Sequence, residues 1–130
     1  MAKLSEILVF GNPLIKQDSI ALIVAKELEG KIKGVTFKEI SSISELEQIG
    51  DELGCLDVIQ EGKKVAIFGI ENIKSGNVFS SHDFDLGFEL KLLKKLGKIK
   101  SAKIIGIPMN YNKEKAVKEV REILVKNKSN

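Results

Sequence analysis

Glu6-Ile7-Leu8-Val9-Phe10, closed by Gly11-Asn12-Pro13, decides how this chain is read. The apolar run is too short for a helix and suits a buried strand, and the Gly-Asn-Pro after it stops the strand in a turn. From Ser19 to Glu29 the spacing changes. Ala21, Val24, Ala25 and Leu28 recur at helical intervals, and Gly30 stands where a C-cap belongs. Strand, turn and amphipathic helix together make the first half of a βα unit.

Outward from that unit the pattern repeats. Val35–Glu39 reads as a second strand, and Ser44-Glu45-Leu46-Glu47 is a capping box that opens a short helix. Lys64–Gly69 reads as the central strand, and a short extended piece over Asn77–Phe79 leads into Ser81-His82-Asp83. The next helix carries Leu86, Leu90 and Leu93 on one stripe, widened by Leu92 and Leu96 and ended by Gly97. Ala102–Ile107 is a further buried strand closed by Pro108. The last helix, Lys113–Lys126, puts Ala116, Val117, Val120, Ile123 and Leu124 on one face. Strands alternating with helices predict one α/β domain over residues 1–130, with a mainly parallel sheet and helices on both faces.

Composition narrows the function classes. With 43% apolar and 30% charged residues the chain suits an ordinary soluble domain, and no apolar run approaches the ~20 residues a membrane span needs. The first residues lack a secretory apolar region, so a cytoplasmic location without membrane insertion is expected. Cys55 is the only cysteine and supports neither a disulfide nor a Cys-only zinc site; beside Leu56, Val58 and Ile59 it reads as a buried packing residue. The net charge is +3, but lysines and acids are interspersed and aromatics make up only 5%, which argues against nucleic acid as a partner. Arg121 is the sole arginine, and the Lys/Glu richness suits a thermophile or an AT-rich genome.

In open α/β sheets the ligand sits beyond the carboxyl ends of the strands. That edge is expected to gather residues 12–18, Glu39, Glu71 and residues 108–110, with His82 joining from the loop before its helix. His82 is the only histidine, hence the one imidazole a metal site here can use. Asp18 suits either a ligand or the cap of a helix beginning at Ser19, and Glu71 either a ligand or an exposed loop carboxylate. Asp83 and Asp85 suit the positive end of the following helix. The Gly11 turn lacks the second glycine and the Lys-Ser/Thr pair of a phosphate loop. Neither Ser80 nor Ser81 lies in a Gly-x-Ser-x-Gly elbow, so no serine nucleophile is evident.

Three segments in order carry a resemblance. Residues 8–19, Leu-Val-Phe-Gly-Asn-Pro-Leu-Ile-Lys-Gln-Asp-Ser, resemble the opening of the nickel–iron hydrogenase maturation endopeptidases, where the first strand runs into Gly-Asn-x-Leu-x-x-Asp-Asp/Glu-Gly. Residues 80–86, Ser-Ser-His-Asp-Phe-Asp-Leu, resemble that family's Ser-x-His segment, and residues 103–108 its late strand ending in Gly-Ile/Val-x-Pro. The resemblance implies a three-layer α/β/α sandwich with a mixed, mostly parallel five-stranded sheet of the phosphorylase/hydrolase-like kind. It implies a metal-dependent endopeptidase that removes the C-terminal extension of a nickel–iron hydrogenase large-subunit precursor after nickel insertion. The alternative is a non-catalytic, chaperone-like relative that recognises the same immature subunit. The expected partner is that precursor, and the chain is expected to be a monomer or weak homo-oligomer.

In the family the metal is contacted by a carboxylate after the first strand, an aspartate at the end of the central strand, and the Ser-x-His histidine. Carried over, the first is Asp18 and the last is His82. With Lys64–Gly69 taken as central, Phe68 falls on the aspartate position, and Glu71, three residues on, is the carboxylate that replaces it. The resulting set, Asp18, Glu71 and His82, suits substrate-borne nickel, for which zinc or cadmium can substitute. It would orient the ion against the scissile peptide for attack by polarised water. Gln17, Ser19 and residues 39–42 depart from the family pattern, and the stretch between Gly76 and His82 is short.

Overall fold

The computed structural model describes residues 6–10, 16–40, 52–59, 62–70 and 86–128, with the side chains of 16–18, 86–87 and 127–128 outside that description. Its elements are β1 (Glu6–Val9), α1 (Lys16–Leu28), β2 (Thr36–Glu39), β3 (Glu52–Ile59), β4 (Ala66–Gly69), α2 (Leu86–Lys95), β5 (Ser101–Pro108) and α3 (Lys113–Lys128). The strands form one five-stranded sheet in the order β2-β1-β3-β5-β4. The pairings β1–β2, β1–β3 and β3–β5 are parallel, and β4 runs antiparallel to β5. The mixed, mostly parallel sheet expected from the sequence is therefore present.

Side-chain alternation builds the three layers. Ile7, Val9, Leu56, Val58, Ile105 and Ile107 point to one face, where Ala21, Val24 and Leu28 of α1 and Ala116, Val120 and Leu124 of α3 bury them. Leu8, Leu53, Cys55, Ala102 and Ile104 point to the other, under Leu90 and Leu93 of α2. A strand covered on both faces must be apolar nearly throughout. β3 and β5 meet that condition: every residue of β3 after Glu52 is buried.

The sheet order corrects the sequence reading. The central strand is β3, which the sequence reading left unassigned, while the strand read as central begins at Ala66 and forms the edge strand β4. Every residue of β4 is only partly buried. The short strand expected at residues 77–79 and the capping box at residues 44–47 lie outside the described residues. α1 begins at Lys16 rather than Ser19, so Asp18 falls inside the first turn instead of capping it. Leu92 and Leu96 do not widen the buried stripe of α2; they are 40% and 61% exposed.

The helix ends follow the local chemistry. Gly97 has a φ of 78°, with Gly97 N–H bonded to the Lys94 carbonyl at 3.0 Å and Lys98 N–H to the Leu93 carbonyl at 2.9 Å. This is a Schellman close, which needs a left-handed residue. A Cβ at Gly97 would meet no atom within 4 Å, so Gly97→Ala tests backbone strain alone. It is expected to cost about 1 kcal/mol, read as a lower urea midpoint at unchanged slope. The outward N–H of Phe37 on the edge strand β2 is taken by Glu29 Oε2 at 3.2 Å, which blunts that edge against further strand pairing.

Candidate functional site

β1 leads outward through α1 to β2, and β3 then returns on the other side of β1. The strand order therefore reverses between β1 and β3, and the crevice beyond their carboxyl ends is where an open α/β sheet binds its ligand. Hydrogen bonds carry the ladder past the formal strand ends at this edge. Phe10 N–H reaches the Leu56 carbonyl at 2.9 Å, Ile40 N–H reaches Val9 at 3.0 Å, and Met109 N–H reaches Ile59 at 3.0 Å. Four parallel strands thus present their carboxyl ends in a fixed frame.

Asp57 is set into that frame, two residues before the end of β3. It is 1% exposed and is the one buried charged residue among the described residues. It shares the face of Leu53 and Cys55, the face that α2 covers. Its register partner on β5 is Gly106. A methyl at Gly106 would come within 3.0 Å of Ile59 Cγ2 and 3.3 Å of Phe68 Cε2, so these two side chains close over the strand beside Asp57. Asp57 Oδ1 accepts the Val58 N–H at 2.9 Å. A carboxylate removed from water in an apolar layer is costly unless protein groups partner it.

The sequence-derived site residues fall as follows. Asp18 is the third residue of α1, on the connection leaving β1, and its side chain lies outside the described residues. Glu71 and His82 also lie outside them. Phe68, which the sequence reading set against the family aspartate, belongs to the edge strand and packs against the α2-side core. The aspartate near the end of the observed central strand is Asp57. A signal for it was present: Leu53 to Ile59 is apolar on both faces, and its single carboxylate stands near the end. Among the described residues no three of His, Cys, Asp and Glu cluster closely enough to hold a metal.

Cys55 is fully buried two residues before Asp57. Burial first, and the Asp57 charge second, push its thiol far above the ordinary range, so it stays protonated and acts in packing rather than attack.

The turn after β5 is held by a separate polar cluster. Asn110 takes a φ of 61°, and Asn112 Oδ1 caps α3 by accepting the Lys115 N–H at 2.9 Å. Tyr111 O–H donates to Glu119 Oε1 at 2.8 Å, and the Val65 N–H donates to the same oxygen at 3.1 Å. Glu119 so ties α3 to the turn beyond β5 and to the start of β4. Desolvation raises the Glu119 carboxyl, but the Tyr111 and Val65 hydrogen bonds and the charges of Lys115 and Lys64 outweigh it and hold the group below its usual range. A depressed carboxyl contributes stability above its unfolded pKa and loses it as pH falls through the lower folded value. Tyr111 is raised, chiefly by the Glu119 bond, and its contribution fades as pH rises through that higher value. Glu119→Gln is therefore expected to be less stable than the parent at neutral pH. The gap should narrow as the medium is acidified below the ordinary carboxylate pKa, and urea midpoints across a pH series read it.

Among the described residues a mixed five-stranded sheet carries two helices on one face and one on the other, and this fold is similar to that of hydrogenase maturation endopeptidases of known structure. The hydrogenase maturating endopeptidase HybD from E. coli matches with a TM-score of 0.64 and 18% identity, over 97% of this chain and 93% of that one. A hydrogenase 3 maturation protease matches at 0.62 and 18%, over 93% and 89%. The [NiFe] hydrogenase maturation protease HycI from Thermococcus kodakarensis matches at 0.59 and 18%, over 98% and 94%. No protein-family model matches the chain, and no curated protein matches it in sequence. At this identity the likeness is one of fold.

Proposed function

We propose that this chain is a hydrogenase maturation endopeptidase, acting in the cytoplasm on a nickel-loaded large-subunit precursor and removing its C-terminal extension. The observation that carries this reading is Asp57: a buried carboxylate near the end of the central strand, beside the point where the strand order reverses. The resemblance in the sequence calls for an aspartate there. We further propose that Asp18, Asp57 and His82 form the set that meets the substrate's nickel. Asp57 takes the place for which Glu71 was invoked, since the central strand supplies its own carboxylate.

Two carboxylates and one imidazole suit a borderline divalent ion and leave positions open for groups the substrate brings. Such a set favours contact with an ion already held by the precursor over storage of one. The cleavage itself is hydrolysis of a peptide bond, with hydroxyl added to the acyl carbon and a proton to the departing amine. The ion's share is to polarise the water or the carbonyl.

Calorimetric titration with nickel or cadmium tests the ligand set. The parent chain is expected to bind, His82→Ala to show no measurable heat, and Glu71→Ala to match the parent. Unchanged binding by His82→Ala would remove the set. Loss of binding in Glu71→Ala would return that residue to it. The departures at Gln17, Ser19 and residues 39–42 favour a second reading, a binder of the immature subunit without catalysis.

A further inference from the structure

Asp57 is constrained from both sides of its strand, by two independent features. Backbone direction alternates along β3: the Leu56 carbonyl accepts the Phe10 N–H, and the Ile59 carbonyl accepts the Met109 N–H. Residues 56 and 58 therefore direct their backbone polar groups to β1, and residues 57 and 59 direct theirs to β5. The Val58 N–H belongs to the first set, and it donates to Asp57 Oδ1 at 2.9 Å. One carboxylate oxygen of Asp57 thus lies on the β1 side of β3, where the strand order reverses.

The opposite side of Asp57 is filled. Its register partner Gly106 pairs in turn with Ala66 of β4, so the row running on from Asp57 holds only small residues. Larger side chains from neighbouring rows occupy the space above them. A Cβ at Gly106 would come within 3.0 Å of Ile59 Cγ2, 3.1 Å of Ile59 Cδ1 and 3.3 Å of Phe68 Cε2. Ile59 is buried and stands two residues beyond Asp57 on the same face. Its own register partner is Pro108, so to lie over Gly106 its side chain leans back diagonally across β5. Phe68, paired with Ile104, leans to the same spot from β4. The two make an apolar wall on the β5 side of Asp57, and the glycine beneath them leaves it room.

An aspartate has a few staggered settings, and the space beside it decides which are open. An apolar wall offers a carboxylate no hydrogen bond, so a turn toward β5 is costly. A turn toward β1 keeps the Val58 bond.

We propose that Ile59 and Phe68, seated over Gly106, are positioning residues that hold the Asp57 carboxylate on the β1 side of the central strand, facing the crevice. This rests on the endopeptidase reading and adds to it the groups that orient its central carboxylate.

The test uses the full chain, with nickel or cadmium titrated by calorimetry. Ile59→Ala opens the wall and is expected to weaken ion binding about tenfold or more, the loss that follows when a metal-contacting group loses its support. Leu53→Ala is the control for lost packing: it empties space on the same face of β3, four residues before Asp57. It should lower the melting temperature and leave ion affinity as in the parent. Adding Gly106→Val to Ile59→Ala returns methyl groups to the emptied space from β5 and should recover most of the affinity. A second readout needs no ion. In amide exchange followed by NMR, Ile59→Ala should raise the Val58 rate relative to that of Leu56, because a freed carboxylate releases the Val58 bond. Leu53→Ala should change both rates alike. If the parent binds an ion and Ile59→Ala binds it equally well, the wall is packing alone, and the proposal fails while the endopeptidase reading stands. An unchanged ratio of the Val58 and Leu56 rates would overturn it in the same way. If the parent binds no ion, the ligand set fails and the proposal with it.

Discussion

Asp57→Asn is expected to weaken metal binding and precursor cleavage by about 100-fold or more while leaving the fold intact. The estimate takes the upper end of what disturbing even an outer partner of a metal site costs, since Asp57 is proposed as a direct contact. The stability half of the expectation is the more diagnostic. Asp57 is 1% exposed on an apolar face, with Oδ1 accepting the Val58 N–H at 2.9 Å. The amide keeps an acceptor oxygen for that bond and nearly the same volume. A residue kept only for structure would lose stability on this change. One kept for its charge at a site should show an equal or higher melting temperature together with lost function. A variant that melts well below the parent and still binds metal would place Asp57 in the architecture instead.

Leu90→Ala is expected to be the most damaging change on the α2 side of the sheet, at about 2–5 kcal/mol. α2 has only ten residues, too few to stand as a helix without tertiary support. Among its described side chains, Leu90 at 0% and Leu93 at 8% exposure supply that support. Removing three heavy atoms at the more buried position leaves a cavity against Leu8, Leu53 and Ile104 on the sheet. A loss of that size is a large share of the ~5–15 kcal/mol of a domain this small. Urea unfolding at neutral pH measures it. A loss under 1 kcal/mol would show that α2 is held by other contacts.

Most of the scaffold was legible where one physical signal governed each segment. β1 itself, the period of α1, the strand closed by Pro108 and the stripe of α3 were all read close to where they lie. The misreadings share a cause. An uninterrupted run such as Val65–Phe68 looks like a strand buried on both faces, yet β4 is an edge strand. The strand that is buried on both faces, β3, carries Gly54 and Asp57, residues that local propensity disfavours in strands. Tertiary burial overrode propensity there. The same misreading left Asp57 out of the candidate residues. α2 misled differently. Its leucines satisfy a helical period on more than one face, and only the sheet decides which of them are covered.

The departures that remain at Gln17 and Ser19 adjoin Asp18 without replacing it.

The most direct test of the account is the mass of the precursor itself. Nickel-loaded large-subunit precursor incubated with the parent chain is expected to lose a discrete C-terminal peptide, seen as one shorter protein and one released fragment, and Asp57→Asn should leave it intact. A precursor that keeps its full mass while co-eluting with the parent chain would contradict the endopeptidase reading and make the protein a binder of the immature subunit.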